Sequence, residues 1–163
     1  MEMPVFTIRG KNHRERGVDY GVQCKELIQG VLERYIRFFN GGHTAVSWDE
    51  AKVISKEFLP FIHSYSPELL DELEGIAQGA DVEFDDLLTL NSRSEAMTLV
   101  RRPPSDKEEL DGCSSVAVLP DASANGHTIL AQNWDTYTWQ EFGTVILQIL
   151  RDDGPDLMIV TEA

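Results

Sequence analysis

The sequence predicts an α+β protein, helical first and stranded last. Three observations predict it. Apolar residues recur at three- and four-residue steps through much of the first hundred positions; apolar and polar residues alternate after residue 113; and a charged, proline-bearing run separates the two regimes. With 163 residues the chain is of single-domain size and long enough to bury a substantial core.

Val5-Phe6-Thr7-Ile8 alternates and ends in Arg9-Gly10, so it reads as a short strand. A helix is expected from about Arg14, because Cys24, Leu27, Ile28, Val31, Leu32, Tyr35 and Phe39 form one apolar stripe, and Asn40-Gly41-Gly42 stops it. Cys24 sits on that stripe and reads as a small buried hydrophobe. Ser47-Trp48-Asp49-Glu50 has the form of a capping box, with Val53, Ile54 and Phe58 as the inward face of the helix it starts and Pro60 ending or bending it. Ser66-Pro67-Glu68 begins another helix, carried by Leu69, Leu70, Leu73, Ile76 and Ala77 and stopped at Gly79. A fourth short helix is expected over 84–90.

Asn91-Ser92-Arg93-Ser94-Glu95 follows as a polar stretch. On a helix, Arg93 and Glu95 would not face each other; in an extended segment they would share a side, and the plain alternative is a surface ion pair worth ~0 to 1 kcal/mol. Residues 101–112, with Pro103, Pro104 and a dense set of charges, form a connector with little to bury. Then come strands over 114–119 and 127–133, joined by a turn carrying Asn125-Gly126, and a second pair over 144–150 and 157–161. The expected arrangement is a four-stranded antiparallel meander, giving a helical segment 1–112 that ends in the linker and a β segment 113–163.

Composition excludes several functions. A formal charge of -14, with acids in excess in both halves, repels a phosphate backbone and argues against a nucleic-acid partner. No stretch approaches the roughly 20 apolar residues of a membrane span. Cys24 and Cys113 form no disulfide framework, and no N-terminal run looks like a secretory signal, so a reducing, cytoplasmic setting is expected. His13, His43, His63 and His127 lack metal-ligand spacing with either cysteine, and no metal is expected.

Cys113, in Asp111-Gly112-Cys113-Ser114-Ser115, stands where the connector meets a strand, and Gln132-Asn133-Trp134-Asp135 ends the strand that returns beside it. A thiol behind a glycine can attack the Gly112 carbonyl carbon, shifting the acyl group from nitrogen to sulfur; hydrolysis then leaves Cys113 as a new N-terminus whose own amine serves as base. The residues alone also allow a plain buried cysteine at position 113 and a turn-forming aspartate at 135.

These motifs resemble the acyl-coenzyme A:6-aminopenicillanic acid acyltransferase family, also called isopenicillin N acyltransferases. The likeness is carried by Gly17-Val18-Asp19-Tyr20-Gly21, Glu74-Gly75-Ile76-Ala77-Gln78-Gly79-Ala80, Leu90-Asn91-Ser92-Arg93-Ser94-Glu95, the segments around Cys113 and Asp135, and Ile159-Val160-Thr161-Glu162-Ala163. The resemblance implies a cysteine N-terminal nucleophile (Ntn) hydrolase with the four-layer αββα sandwich, made as a precursor that cuts itself at the processing site Gly112-Cys113. It implies Cys113 as nucleophile and Asp135 as the acid that assists, with Arg93, Glu95 and Asn133 as supporting residues. It implies no cofactor beyond acyl-coenzyme A as an acyl-donor substrate, small amides or acyl thioesters as substrates, and a heterodimer of the two cleavage products. Ser114-Ser115 departs mildly from members with threonines there. The family's chain continues after the match to Thr161-Glu162-Ala163, including the oxyanion asparagine, so the expectation is an incomplete domain, inert alone. The competing readings are a non-catalytic domain of this fold and a cysteine hydrolase using His127 as base.

Overall fold

The computed structural model describes residues 3–100, 113–152 and 154–163. The chain divides into two compact units, one of residues 1–102 with 140–163 and the other of residues 103–139. Helices and sheet together make it α+β, as expected.

In the larger unit, strand β1 (Val5–Ile8) is followed by helices α1 (His13–Gln23) and α2 (Lys25–Phe38). The single helix expected over this stretch bends at Cys24, whose φ of -104° and ψ of 12° leave the α region. The hydrogen bonds from Cys24 N to Tyr20 O and from Ile28 N to Cys24 O, both 2.9 Å, bridge the bend. The two halves serve different partners: Gly17 and Gly21 of α1 lie against the backbone of the later helix α5 (Pro67–Ala80), whereas Val31 of α2 lies against Gly143. Gly42, at φ 79°, ends the helical run after a π turn at Phe39–His43, as the glycine pair predicts.

Helix α3 (Trp48–Lys56) has its predicted capping box, with Ser47 N donating to Glu50 Oε2 at 2.8 Å and Glu50 N to Ser47 Oγ at 3.3 Å. Its buried face differs from expectation. Trp48, Ala51 and Ser55 point inward while Val53 is 67% exposed. Trp48 decides this: its ring meets Phe39 edge-on at 5.3 Å and its indole N–H donates to Asp86 Oδ1 at 2.8 Å, which fixes the helix rotation. Pro60 does not end a helix but opens the short α4 (Leu59–Tyr65), a first-turn position where its missing N–H costs nothing.

Helix α5 runs one residue past Gly79 and closes at Asp81 in the left-handed region, φ 57°. The glycines of α1 and α5 have a packing role that the stop reading missed. A Cβ at Gly17 would lie on the Glu72 carbonyl oxygen, and one at Gly21 on that of Ile76. In return, Gly75 and Gly79 face the carbonyl oxygens of Arg14 and Val18. The pairings advance together along both helices, so the two run side by side in the same direction at backbone contact, the small-xxx-small arrangement.

Helices α6 (Phe84–Asn91) and α7 (Arg93–Val100) complete the helical part. The expected meander is replaced by two sheets. Strand β2 (Ser114–Val118) pairs antiparallel with β3 (Ile129–Asn133) in the smaller unit, while β4 (Thr144–Ile149) is the centre of a β1-β4-β5 sheet with β5 (Leu157–Glu162). β1 joins β4 in parallel, Val5 opposite Ile146 and Ile8 opposite Ile149. Its long sequence separation made this pairing invisible to local pattern. Val145, Leu147 and Ile149 alternate inward along β4 and, with Ile8, Ile28, Val31, Leu32, Leu88 and Leu90, form the core.

The glycine contact makes a sign prediction. Gly→Ala within a helix ordinarily gains roughly 0.5–1 kcal/mol, but at Gly21 the new methyl meets the Ile76 carbonyl, and overpacking costs about 1–3 kcal/mol. Gly21→Ala should therefore lower the unfolding free energy in urea denaturation; an unchanged or higher value would show that the helices can part without cost.

Candidate active site

The smaller unit brings Cys113 and Asp135 to one end of a hairpin. Ser114 pairs with Asn133, so the residues just outside the ladder, Cys113 on one strand and Trp134-Asp135 on the other, share an end. The turn that returns the chain carries Gly126 at φ 69°, as the Asn-Gly pair predicts. The Cys113 thiol is exposed and lies 4.0 Å from the backbone carbonyl oxygen of Asp135. The Asp135 carboxylate is held by Asn133, whose Nδ2 donates to Oδ1 at 2.9 Å. Of the sequence-predicted residues, then, Cys113, Asn133 and Asp135 come together. Gly112 lies outside the described residues. His127 is exposed at the far end of the hairpin, six residues before Asn133.

Chemically the hairpin end offers an exposed thiol, a carbonyl acceptor beside it and an oriented carboxylate. The hairpin also leaves Val116, Leu119, Ile129 and Leu130 exposed. Ala117 and Leu130 oppose each other on one face of the pleat, Val116 and Ala131 on the other, so both faces carry apolar residues, with the polar pairs Ser114-Asn133 and Ser115-Gln132 at the Cys113 end.

Arg93 and Glu95 belong to the larger unit, and the extended segment expected for them is helix α7. The structure overturns their pairing on a shared side. Ser92 N donates to Leu88 O at 3.0 Å, Ala96 N to Ser92 O at 3.0 Å, and the Ser92 hydroxyl to Leu88 O at 2.7 Å, so the chain turns directly from one helix into the next. Two apart on that helix, Arg93 and Glu95 diverge. Arg93 instead donates through Nη2 to Glu162 Oε2 at 2.7 Å and through Nη1 to the Leu90 carbonyl at 2.6 Å, and stacks over the Tyr35 ring with its Cζ 4.6 Å from the centroid. Glu95 is exposed and lines a cleft of about 610 Å3.

Glu162 is the residue that sequence reasoning left without a role. Its side chain is 6% exposed. Oε2 accepts from Arg93 and, at 3.0 Å, from the Tyr35 hydroxyl, which itself accepts a hydrogen bond from Gln140 Nε2. Burial holds the Glu162 carboxyl above the usual carboxylate range even though Arg93, Tyr35 and Gln140 oppose that rise. Burial also pushes the Tyr35 phenol up to about 12, with Arg93 pulling the other way. A signal existed in the sequence: an acid one residue past the apolar run Leu157 to Val160, after Thr161, near the end of a strand that enters the core.

Cys24 is buried, and burial followed by the Asp19 charge pushes its thiol up to about 12. At neutral pH it is a protonated filler. Among the described residues no helix is long and apolar enough to cross a membrane.

Comparison with known proteins bears directly on the chemistry. Over 150 residues, 89% of this chain, the sequence is 29% identical to the acyl-coenzyme A:6-aminopenicillanic-acid-acyltransferase 40 kDa form of Emericella nidulans. Over 158 residues, 92% of the chain, it is 27% identical to the beta-alanyl-dopamine/carcinine hydrolase of Drosophila melanogaster. At this level the chain resembles the acyl-coenzyme A:6-aminopenicillanic acid acyltransferase family. It spans 39% and 38% of the length of those two relatives. No family model matches it. One relative is named for acyl transfer and the other for hydrolysis.

Two predictions follow the geometry. With Cys113 exposed and Cys24 buried, a maleimide should label one thiol rapidly in the folded chain and the second only in denaturant, and Cys113→Ala should abolish the fast phase. For Glu162 the folded-state pKa is raised, so the charged carboxyl is penalised by folding: the penalty is absent below the ordinary value of 4.5 and grows as pH rises through the folded value. Arg93 offsets that penalty. Arg93→Ala should therefore cost about 3 kcal/mol at pH 7, the low end for a broken buried pair because Arg93 keeps 22% exposure, and distinctly less at pH 4. Equal losses at the two pH values would show that Glu162 is not the group involved.

Proposed function

We propose that this chain is the nucleophile-bearing part of a self-processing cysteine Ntn amidohydrolase or acyltransferase. The observation that carries the reading is the hairpin end, where an exposed Cys113 and an Asn133-held Asp135 stand together behind Gly112. In processing, the Cys113 sulfur bonds to the Gly112 carbonyl carbon while the peptide C–N bond breaks, and the thiol proton passes to the departing nitrogen. Water then cleaves the thioester, leaving Gly112 as a carboxylate and Cys113 with a free thiol and amine. That amine has a reference pKa of about 7.7–8.0, so near neutral pH a fraction can accept the thiol proton in each later turnover.

In turnover, the Cys113 thiolate takes the acyl group of a small amide or acyl thioester, acyl-coenzyme A among them, and the amine or thiol leaves with the proton. Water or an amine then takes the acyl group from the thioester. Hydrolase and acyltransferase differ in which of the two reaches it. The names of the two relatives, one a transferase and one a hydrolase, support acyl chemistry of this kind and leave both acceptors open. Asp135 assists processing and positions the nucleophile, Asn133 orients Asp135, and Arg93 holds Glu162 within the larger unit. An oxyanion donor supplied by the rest of the protein would add about 2.7–4 kcal/mol of stabilisation.

The four-layer αββα sandwich is the architecture proposed for the intact protein. The exposed apolar residues on both faces of the β2-β3 hairpin, Leu130 on one and Val116 and Ile129 on the other, support it, because such residues gain from a layer over each face. The two cleavage products would stay associated as a heterodimer, and a cytoplasmic location suits a free thiol.

Intact mass and N-terminal sequencing of the full-length protein that carries this sequence test the proposal. The expected result is a break between Gly112 and Cys113, lost in Cys113→Ala and slowed in Asp135→Asn. A folded chain that stays whole and takes up no thiol-directed probe would leave a non-catalytic scaffold as the better reading.

A further inference from the structure

The sheet of the larger unit is paired unevenly. Strand β4 has β1 on one side and β5 on the other, whereas β5 pairs with β4 alone among the described residues. The register shows which backbone groups that leaves over. Ala163 N donates to Gly143 O at 2.8 Å, so Gly143 and Ala163 are a hydrogen-bonded pair, and such pairs alternate along an antiparallel ladder. Leu157, Ile159 and Thr161 therefore bond to β4. The N–H and C=O groups of Met158 and Val160 point away from it, along an open edge.

The side chains mark the same edge. Leu147 and Ile149 of β4 are 3% and 9% exposed, yet Ile159 and Leu157, directly opposite them on the same face of the pleat, are 39% and 37% exposed. That face looks toward the helices, and one strand further out it loses its cover. What it meets there is an apolar cleft of about 610 Å3, with Leu157 and Ile159 on the sheet side and Ile62 of α4 and Leu70 and Leu73 of α5 on the helix side. Every one of these residues belongs to the larger unit. Folded interiors hold few voids larger than a water molecule, so a cleft of this size between a sheet and its own helices has room for the side chains of another element.

We propose that β5 is an acceptor edge, on which a further β-strand, from the part of this protein outside residues 1–163, pairs with Met158 and Val160 and seats two apolar side chains in the cleft. A strand answers both observations at once: its main chain takes up the edge groups, and its residues opposite Leu157 and Ile159 share their face and enter the cleft. A small apolar ligand would fill the cleft and leave the edge open. A second copy of the chain would bring a charge of -14 against an equal charge. The match covers 39% and 38% of the two relatives, so most of each lies outside it, and a strand on the same polypeptide reaches the edge at high effective concentration. The strand that fits is apolar at two positions with one residue between them. Nothing in the pairing involves the Cys113 thiol, so it stands apart from the processing reaction.

Hydrogen exchange at single-residue resolution, on the full-length protein that carries this sequence, tests the edge. The Met158 and Val160 amides should exchange within about tenfold of the rate at Ile159, whose N–H bonds to β4. Faster exchange than that would show an open edge and overturn the proposal. The source of the strand is read by placing the photo-cross-linker p-benzoylphenylalanine at position 158, where the Met158 side chain is 73% exposed and its loss leaves the core intact. Irradiation should join it to a segment of the same polypeptide outside residues 1–163. Because β5 follows Cys113 in the chain, this readout is the same whether or not the chain is cut before Cys113. A cross-linked dimer would overturn the proposal in favour of a second copy, and a product confined to residues 1–163, or no product, would overturn it outright.

Discussion

The backbone contact between α1 and α5 is the constraint on which the larger unit rests. Four glycines, two on each helix, remove the side chains that would otherwise hold the helices apart, and carbonyl oxygens of each helix occupy the space the missing methyls leave. Helix axes ordinarily lie 8–10 Å apart according to the side chains between them; with none in between, α1 and α5 behave as one thick element. Other features inherit their positions from it. The bend at Cys24 lets α2 leave that pair and send Val31 toward Gly143 at the head of β4. Arg16, almost fully buried on α1, and Leu69, Leu70 and Leu73 on α5 together form one side of the large cleft.

The cluster of Tyr35, Arg93, Gln140 and Glu162 is the polar counterpart of that contact. It ties α2, α7, the segment before β4 and the end of β5 together through one carboxylate oxygen. Buried ion pairs are costly to assemble and more costly to break, so such a cluster specifies which elements meet more than it adds net stability. Its residues come from places up to 127 positions apart, which is why it locks tertiary arrangement and not any single helix.

The hairpin follows a different logic. Its ladder is regular over five pairs, from Ser114 opposite Asn133 to Val118 opposite Ile129, yet its apolar side chains find little cover within their own unit. A lone two-stranded hairpin is marginal in water. What the hairpin does supply is register: pairing Ser114 with Asn133 fixes that Cys113 and Asp135 end up at the same end, whatever covers the faces.

How much of this was legible in the sequence follows from the range of each interaction. The capping box at Ser47, the glycine stop at Gly42, the turn at Asn125-Gly126 and the Cys113-Asp135 juxtaposition are set by neighbours within a strand or a turn, and local pattern found them. Val53 read as inward because its spacing suits a helix face, but the helix rotation is set by the hydrogen bond from Trp48 to Asp86, 38 residues away. Arg93 read as a partner of Glu95 because the two are close in the chain; the pairing with Glu162 depends on β5 entering the core beside α7. Gly79 read as a helix stop because glycine ends helices in isolation, and only the presence of Val18 opposite shows that it is there to be small. Composition and spacing thus determined the α+β class, the main helical stretches up to residue 91 and the hairpin that carries the thiol. Tertiary structure alone decided the β1-β4 pairing, the glycine contact and the buried carboxylate, because each joins residues whose separation leaves no periodic trace in the chain.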